Sequence, residues 1–203
     1  MDVRERFVID VGDFSRFNPG RQAPVWWGIL GLVVIEATVL MAFVATYFYL
    51  RLMAPTWPPE GVEPPPLLLP SISVALLLGS SMTMQWGSKC IENEQYNRFV
   101  IAMFASVGLA CTVLMLRWQQ FQELGMRWDE HVYGSIVWTI TGFHFVHLIS
   151  AAAGTLVVGI LGIKRYFNPQ QKIGVVVDTL YWNFVSLVWI PLYLVVYWVP
   201  RWL

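Results

Sequence analysis

Charge is scarce in this chain. Asp, Glu, Lys and Arg make up 13% of its 203 residues, against roughly 25% in an ordinary soluble domain. The 13 basic and 13 acidic residues cancel, so the basic excess that a nucleic-acid partner needs is missing. Cysteine is nearly absent. Cys90 and Cys111 lie 21 positions apart in a segment that reads as mostly helical, too far apart for a disulfide. Neither CxxC nor CxxCH occurs, so the sequence signals neither a zinc site nor covalent c-type haem attachment. The first residues, "MDVRERFVIDVGDFSRFNPGRQAP", have no h-region and no small-residue cleavage site. They read as a retained polar tail (residues 1–24), not a signal peptide.

What is present is apolar surface. The chain is 57% hydrophobic, and its apolar residues fall into five runs near the length that crosses a bilayer, about 20 residues. The runs cover about 26–50, 67–87, 98–117, 133–163 and 175–199, within a domain of 25–203. They do not alternate as barrel strands do, and in lipid the backbone must satisfy itself. The fold class is therefore all-α, a polytopic bundle of five transmembrane helices. With the N-terminus inside, nine of the thirteen Lys and Arg fall in inner segments: Arg4, Arg6, Arg16, Arg21, Lys89, Arg98, Lys164, Arg165 and Lys172. Arg51, Arg117, Arg127 and Arg201 fall outside. The positive-inside rule then gives a cytoplasmic N-terminus and a periplasmic C-terminus. Together with the missing targeting peptide, this points to a bacterial inner membrane. Ser150 and Gly154, with Gly28, Gly31, Gly79, Ser80, Ser81, Gly159 and Gly162, are the small residues expected at close helix contacts. Pro191 is expected to kink the fifth helix. Glu123, Asp129 and Glu130 read as a solvated rim on an outer loop.

Ionisable groups at membrane depth are rare and functional by default. Three stand out: Glu36 in the first span, and His144 and His147 in the fourth. Two histidines at i, i+3 point the same way and cannot both be axial ligands of one haem. The remaining histidine, His131, lies in a loop, so the count excludes a diheme cytochrome. One His with a Met, or a site of two His and one Glu, stays open on ligand type alone. A third reading is a buried polar pair. Glu36 lies about 15 Å from the inner face, and His147 nominally about 24 Å. Tilt and uncertain span ends can absorb that difference. An isolated carboxylate at that depth would be protonated or paired, and the expected pair is Glu36 with His147. Lys164 and Arg165, in the inner loop after the fourth span, serve topology or bind phospholipid head groups.

Several stretches occur together and in order: "GLVVIEATVLMAF", "WPPEG", "LLPSISVALLLGSSMTMQW", "LMLRWQQFQEL", "VYGSIVWTITGFHFVHLISAAAGTL" and "LYWNFVSLVWIPLYLVVYW". In these the chain resembles subunit III of the haem–copper oxidases, in its five-helix cytochrome c oxidase form. The resemblance implies an accessory subunit with no redox centre of its own. Haem and copper would sit in partner subunits I and II, with structural phospholipids bound by this chain. Such a subunit supports proton uptake and protects the active site from turnover inactivation. The family's carbodiimide-reactive glutamate matches Glu36, and its paired histidines match His144 and His147. The terminal motif departs from the usual YWHFVDVVW, with Asn183 for His and Ser186 for Asp. The other classes to weigh are a stand-alone proton-coupled transporter or channel using Glu36 and His147, and an accessory subunit of a quinol oxidase or nitric oxide reductase.

Overall fold

A computed structural model describes residues 24–202, so the polar tail and its four arginines lie outside the described residues. The described chain is helical. The helices are α1 (Pro24–Met53), α2 (Leu68–Glu92), α3 (Tyr96–Glu123), α4 (Val132–Ile163) and α5 (Ile173–Tyr193), and α5 runs on through a π-helical turn (Leu194–Trp198) into α6 (Val199–Trp202). Five of these units are long and apolar enough to cross a membrane, α5 to α6 counting as one. Several helices outrun their apolar spans. The end of α2 and both ends of α3 carry polar residues, because backbone pairing continues after hydropathy falls.

Helices α2 to α5 close a ring in which α2 packs on α3, α3 on α4, α4 on α5, and α5 back on α2. Helix α1 stands outside this ring and leans chiefly on α4 and α5. Its inward stripe is Glu36, Leu40, Phe43, Val44 and Tyr47, at helical spacing. Only Leu40 and Tyr47 are fully buried there. Val34, Ile35, Met41 and Leu52 face outward, as a lipid-facing helix requires.

The ring core is aromatic and thioether-rich, with Met84, Phe99, Met103, Trp182 and Trp189 fully buried. A hydroxyl cluster fastens it. Trp182 Nε1 donates to Ser80 Oγ at 2.9 Å, and Thr83 and Ser106 hydroxyls meet at 2.6 Å. Side chains are the helix-joining hydrogen bonds available where water is excluded. Small residues act selectively. Gly162 and Gly159 lie against Phe99 and Phe104, and Gly87 lies against Met103. Gly28, Gly31 and Gly79 face open space, so the expected close approach does not occur there. Each sits on a side of its helix that no neighbouring side chain approaches.

Helices α2 and α4 finish alike. Gln95 N donates to Cys90 O at 2.9 Å and Glu94 N to Ile91 O at 3.2 Å; Tyr166 N donates to Leu161 O at 3.1 Å and Arg165 N to Gly162 O at 3.0 Å. Both are Schellman closures, which favour glycine at the left-handed position. Here Glu94 (φ 57°) and Arg165 (φ 53°) occupy it instead. Lys172 Nζ bridges to Glu92 at 2.7 Å and ties the start of α5 to the end of α2.

At the opposite end of the bundle, His131 caps α4, its Nδ1 accepting from Gly134 N at 2.7 Å. Arg201 donates to the carbonyls of Tyr197, Pro64 and Pro65, which pins α6 to the proline-rich α1–α2 loop. Pro191 has no N–H to give its helix. The π turn follows within a few residues, where the wider ring re-seats the hydrogen bonds.

Candidate functional site

The junction of α1, α4 and α5 gathers the intramembrane polar groups. His147 Nε2 lies 3.4 Å from Glu36 Oε2, and the two side chains are 12% and 16% exposed. His147 Nδ1 lies 2.7 Å from the carbonyl of Phe143, one turn earlier. A carbonyl only accepts, so Nδ1 carries the proton and Nε2 is left to face Glu36. Tyr181 on α5 donates its hydroxyl to Glu36 Oε1 at 3.3 Å. Both contacts to Glu36 are long for hydrogen bonds, so the carboxyl sits in a loose cage. At 3.4 Å Glu36 Oε2 makes no hydrogen bond, but one proton held by the pair can sit either on Oε2 with a neutral imidazole or on Nε2 with a carboxylate. Both forms have no net charge, which avoids the cost of an isolated buried ion. Chemically, the cage can hold a proton and pass it between Oε2 and Nε2.

His144 does not join them. Its Nε2 donates to Val185 O at 3.0 Å, and its ring lies 4.4 Å from Trp189. It is 1% exposed. His144 therefore stands apart from the Glu36–His147 pair. An i, i+3 step leaves two side chains about 60° apart around a helix, and here that angle separates α1 from α5. One histidine holds the outlying helix, and the other holds the ring. The open two-His, one-Glu metal reading loses its geometry with that divergence. Among the described residues, no three His, Cys, Asp or Glu groups gather to share a metal ion.

Lys164 closes α4 as its C-cap, and both it and Arg165 are exposed where α4 ends. Arg165 lies 5.9 Å over the Tyr96 ring. With Arg98, Asn97 and Glu94 it lines an open hollow of about 400 Å³. A second hollow shares Tyr96, Asn97 and Arg165 and continues along Val100, Ile101, Gly162 and Ile163. The structure therefore joins a basic, polar mouth to an apolar groove between α3 and α4. Lys164 lines neither hollow.

Sequence reasoning missed three residues. Tyr181 carries no charge and sits in an aromatic-rich run, so nothing in its type marks it. Asp178 is a single charge in an apolar run, and nothing in the sequence names its partner. Both of its oxygens accept from Thr155 Oγ1, at 3.0 and 3.2 Å, which tucks it against α4 beside Gly154. Arg117 was placed among the outer topology charges. Instead α3 continues past it to Glu123 and buries it to 1% exposure.

Comparison with known proteins adds a second line. The family model "Cytochrome c oxidase subunit III" matches residues 12–201. Cytochrome c oxidase subunit 3 of Gallus gallus is 30% identical over 188 residues, covering 89% of this chain and 72% of that relative. The subunits 3 of Pelea capreolus and Litocranius walleri are each 27% identical over the same shares.

Proposed function

The chain belongs to the cytochrome c oxidase subunit III family, an accessory subunit of an oxidoreductase complex, and from that premise we propose what this subunit contributes. It stabilises the catalytic subunit I, next to subunit II, and supports proton uptake during aerobic electron transport. The haem and copper centres belong to those partners, and this chain carries none. It is a multi-pass membrane protein, and we assign it to a bacterial inner membrane with its N-terminus in the cytoplasm, on the positive-inside count.

The observation that carries the proton-uptake reading is the Glu36–His147–Tyr181 cage. A carboxyl held at membrane depth by one imidazole and one phenol is costly to keep and is retained where it is used. The cage lies where the loosely packed α1 meets the ring, so it also fixes the position of the most lipid-exposed helix. The basic-to-apolar groove at Arg165 and Tyr96 supports phospholipid binding. Anionic head groups fit the arginines and acyl chains fit Val100, Ile101 and Ile163. Family membership favours this accessory reading over a stand-alone proton relay.

The test is the lifetime of the oxidase complex in turnover. Complex lacking this subunit, or carrying Glu36→Ala, is expected to start oxygen reduction at a normal rate and then inactivate in fewer turnovers. An unchanged lifetime in both would overturn the proposal. For lipid, native mass spectrometry of Lys164→Ala/Arg165→Ala is expected to show less retained phospholipid.

A further inference from the structure

Asp178 is the one carboxyl on α5, and the Glu36 cage leaves it out. It lies five residues past Ile173, about 7.5 Å along the axis from the start of the helix. No cation pairs with it among the described residues. Lys172, the nearest basic residue along the chain, is bridged to Glu92 of α2 at 2.7 Å. Among the described residues its only hydrogen-bond donor is Thr155 Oγ1 on α4, shared between the two carboxyl oxygens at 3.0 and 3.2 Å. One hydroxyl proton leaves this carboxyl with lone pairs to spare, where a further proton can sit.

Its polar surroundings lead toward the cage. Tyr181 stands one turn further along α5, on the same face, and donates its hydroxyl to Glu36 Oε1 at 3.3 Å. Helices α4 and α5 are consecutive spans and run antiparallel, so the turn from Gly154 back to Ser150 on α4 leads the same way. Gly154 lies beside Asp178: a Cβ there would meet Oδ1 at 3.4 Å. The Ser150 hydroxyl neighbours Tyr181 and donates to His147 O at 2.8 Å. Asp178 and Gly154 therefore sit one turn before Tyr181 and Ser150, and the glycine puts no side chain in the step between them. The strip is not enclosed. Ser150 is exposed, and Gly154, Asp178 and Tyr181 are partly exposed. Among the described residues, the titratable groups facing it are Tyr181 on α5, Glu36 on α1 and His147 on α4.

We propose that Asp178 is the proton-loading group of the Glu36 cage, taking protons from the end of the bundle where α4 closes and α5 begins and passing them over Gly154 to Tyr181 and Glu36. The inference rests on the proton-uptake reading of that cage and adds its point of entry. A water over Gly154 has Asp178 Oδ1, Ser150 Oγ and the Tyr181 hydroxyl as partners, within the two to four that a held water needs. It takes the proton of the Asp178 carboxyl and gives one of its own to the Tyr181 oxygen, whose proton passes to Glu36 Oε1. The water and the phenol end as they began. Asp178 has lost one proton, and the Glu36–His147 pair has gained one. Asp178 then reloads from the aqueous boundary.

The probe is dicyclohexylcarbodiimide, which adds to a carboxyl only while that carboxyl is protonated. The oxidase complex is sealed into liposomes, and the side bearing Lys164 is identified with a membrane-impermeant amine reagent. Adduct at Glu36 is then counted by mass spectrometry while the pH of each side is set separately. In wild type, labelling is expected to fall by up to about tenfold per unit rise in pH on the Lys164 side and to ignore the other side. Asp178→Asn loses this response, and Asp178→Glu keeps it. Gly154→Ala keeps every polar group and fits the space beside Asp178, yet it covers the step and loses the response too. At equal pH on both sides all these proteins label alike, which a merely structural defect would not allow. Should Asp178→Asn fail to assemble, Gly154→Ala decides. A wild type that follows the opposite side, or a response that survives in Asp178→Asn or Gly154→Ala, overturns the proposal. Labelling indifferent to pH on both sides overturns the proton-uptake reading as well.

Discussion

Removing either member of the Glu36–His147 pair tests how α1 is held. Helix α1 has only Leu40 and Tyr47 fully buried, so polar contacts form a large share of what fixes its rotation. Take Glu36→Leu and His147→Leu, singly and together. Each single change strips one partner at a separation of 3.4 Å and leaves the other polar group enclosed, at a cost of about 1–3 kcal/mol. The double change removes both groups and leaves neither unsatisfied, so it should cost less than the sum of the singles. Interhelical polar pairs measured in membranes average about 0.6 kcal/mol and reach about 1.7. The long contact and the second partner, Tyr181, put this coupling near about 1 kcal/mol, which is about 2–4 °C in Tm for a chain of this size. The assay is the thermal midpoint for retention of the subunit in the purified complex, for wild type, both singles and the double. The pair is largely enclosed, so 0.1 M and roughly 0.5 M salt should give the same coupling. Additive single effects, with coupling below about 0.3 kcal/mol, would refute the pairing.

Other expectations follow from packing and backbone. Gly162→Ala puts a Cβ 2.6 Å from Phe99 Cε1 and should cost about 1–3 kcal/mol by overpacking, whereas Gly79→Ala, with open space around it, should gain about 0.5–1 kcal/mol; thermal retention midpoints of the two variants compare them directly. Glu94→Gly removes a side chain from a left-handed closure and should stabilise the α2–α3 turn by about 1 kcal/mol. Arg165→Gly should do the same for α4 while lowering retained phospholipid, so stability and lipid content move in opposite directions in one sample. Thr155→Val leaves the Asp178 carboxyl without its hydroxyl donor and should cost about 1–3 kcal/mol, while Asp178→Asn keeps an acceptor for Thr155 and should cost less.

The legible part of this fold was the part set by solvent. Lipid demands long apolar helices with closed backbones, and composition therefore delivered five of them. At the ends of α2 and α3 helical pairing outlasts apolarity, so hydropathy does not mark how far inside α3 Arg117 lies. The glycines show the same boundary. Gly162 and Gly79 look alike in sequence, yet one faces Phe99 and the other faces nothing, because helix rotation is a property of the bundle.

The site divides in the same way. That Glu36, His144 and His147 are costly residues at membrane depth follows from the sequence alone, and depth arithmetic leaves Glu36 and His147 about 9 Å apart in level, a gap that tilt can absorb. The 3.4 Å contact depends on α1 seating in the groove between α4 and α5. The same packing sends His144 to Val185, brings Tyr181 to Glu36 and seats Arg117 over Trp189. Sequence determined which groups lie in a low-dielectric medium, since that depends on hydropathy summed along the chain. Only tertiary structure decided which groups face one another, since that depends on the rotation of packed helices, where about 60° on one helix changes the partner.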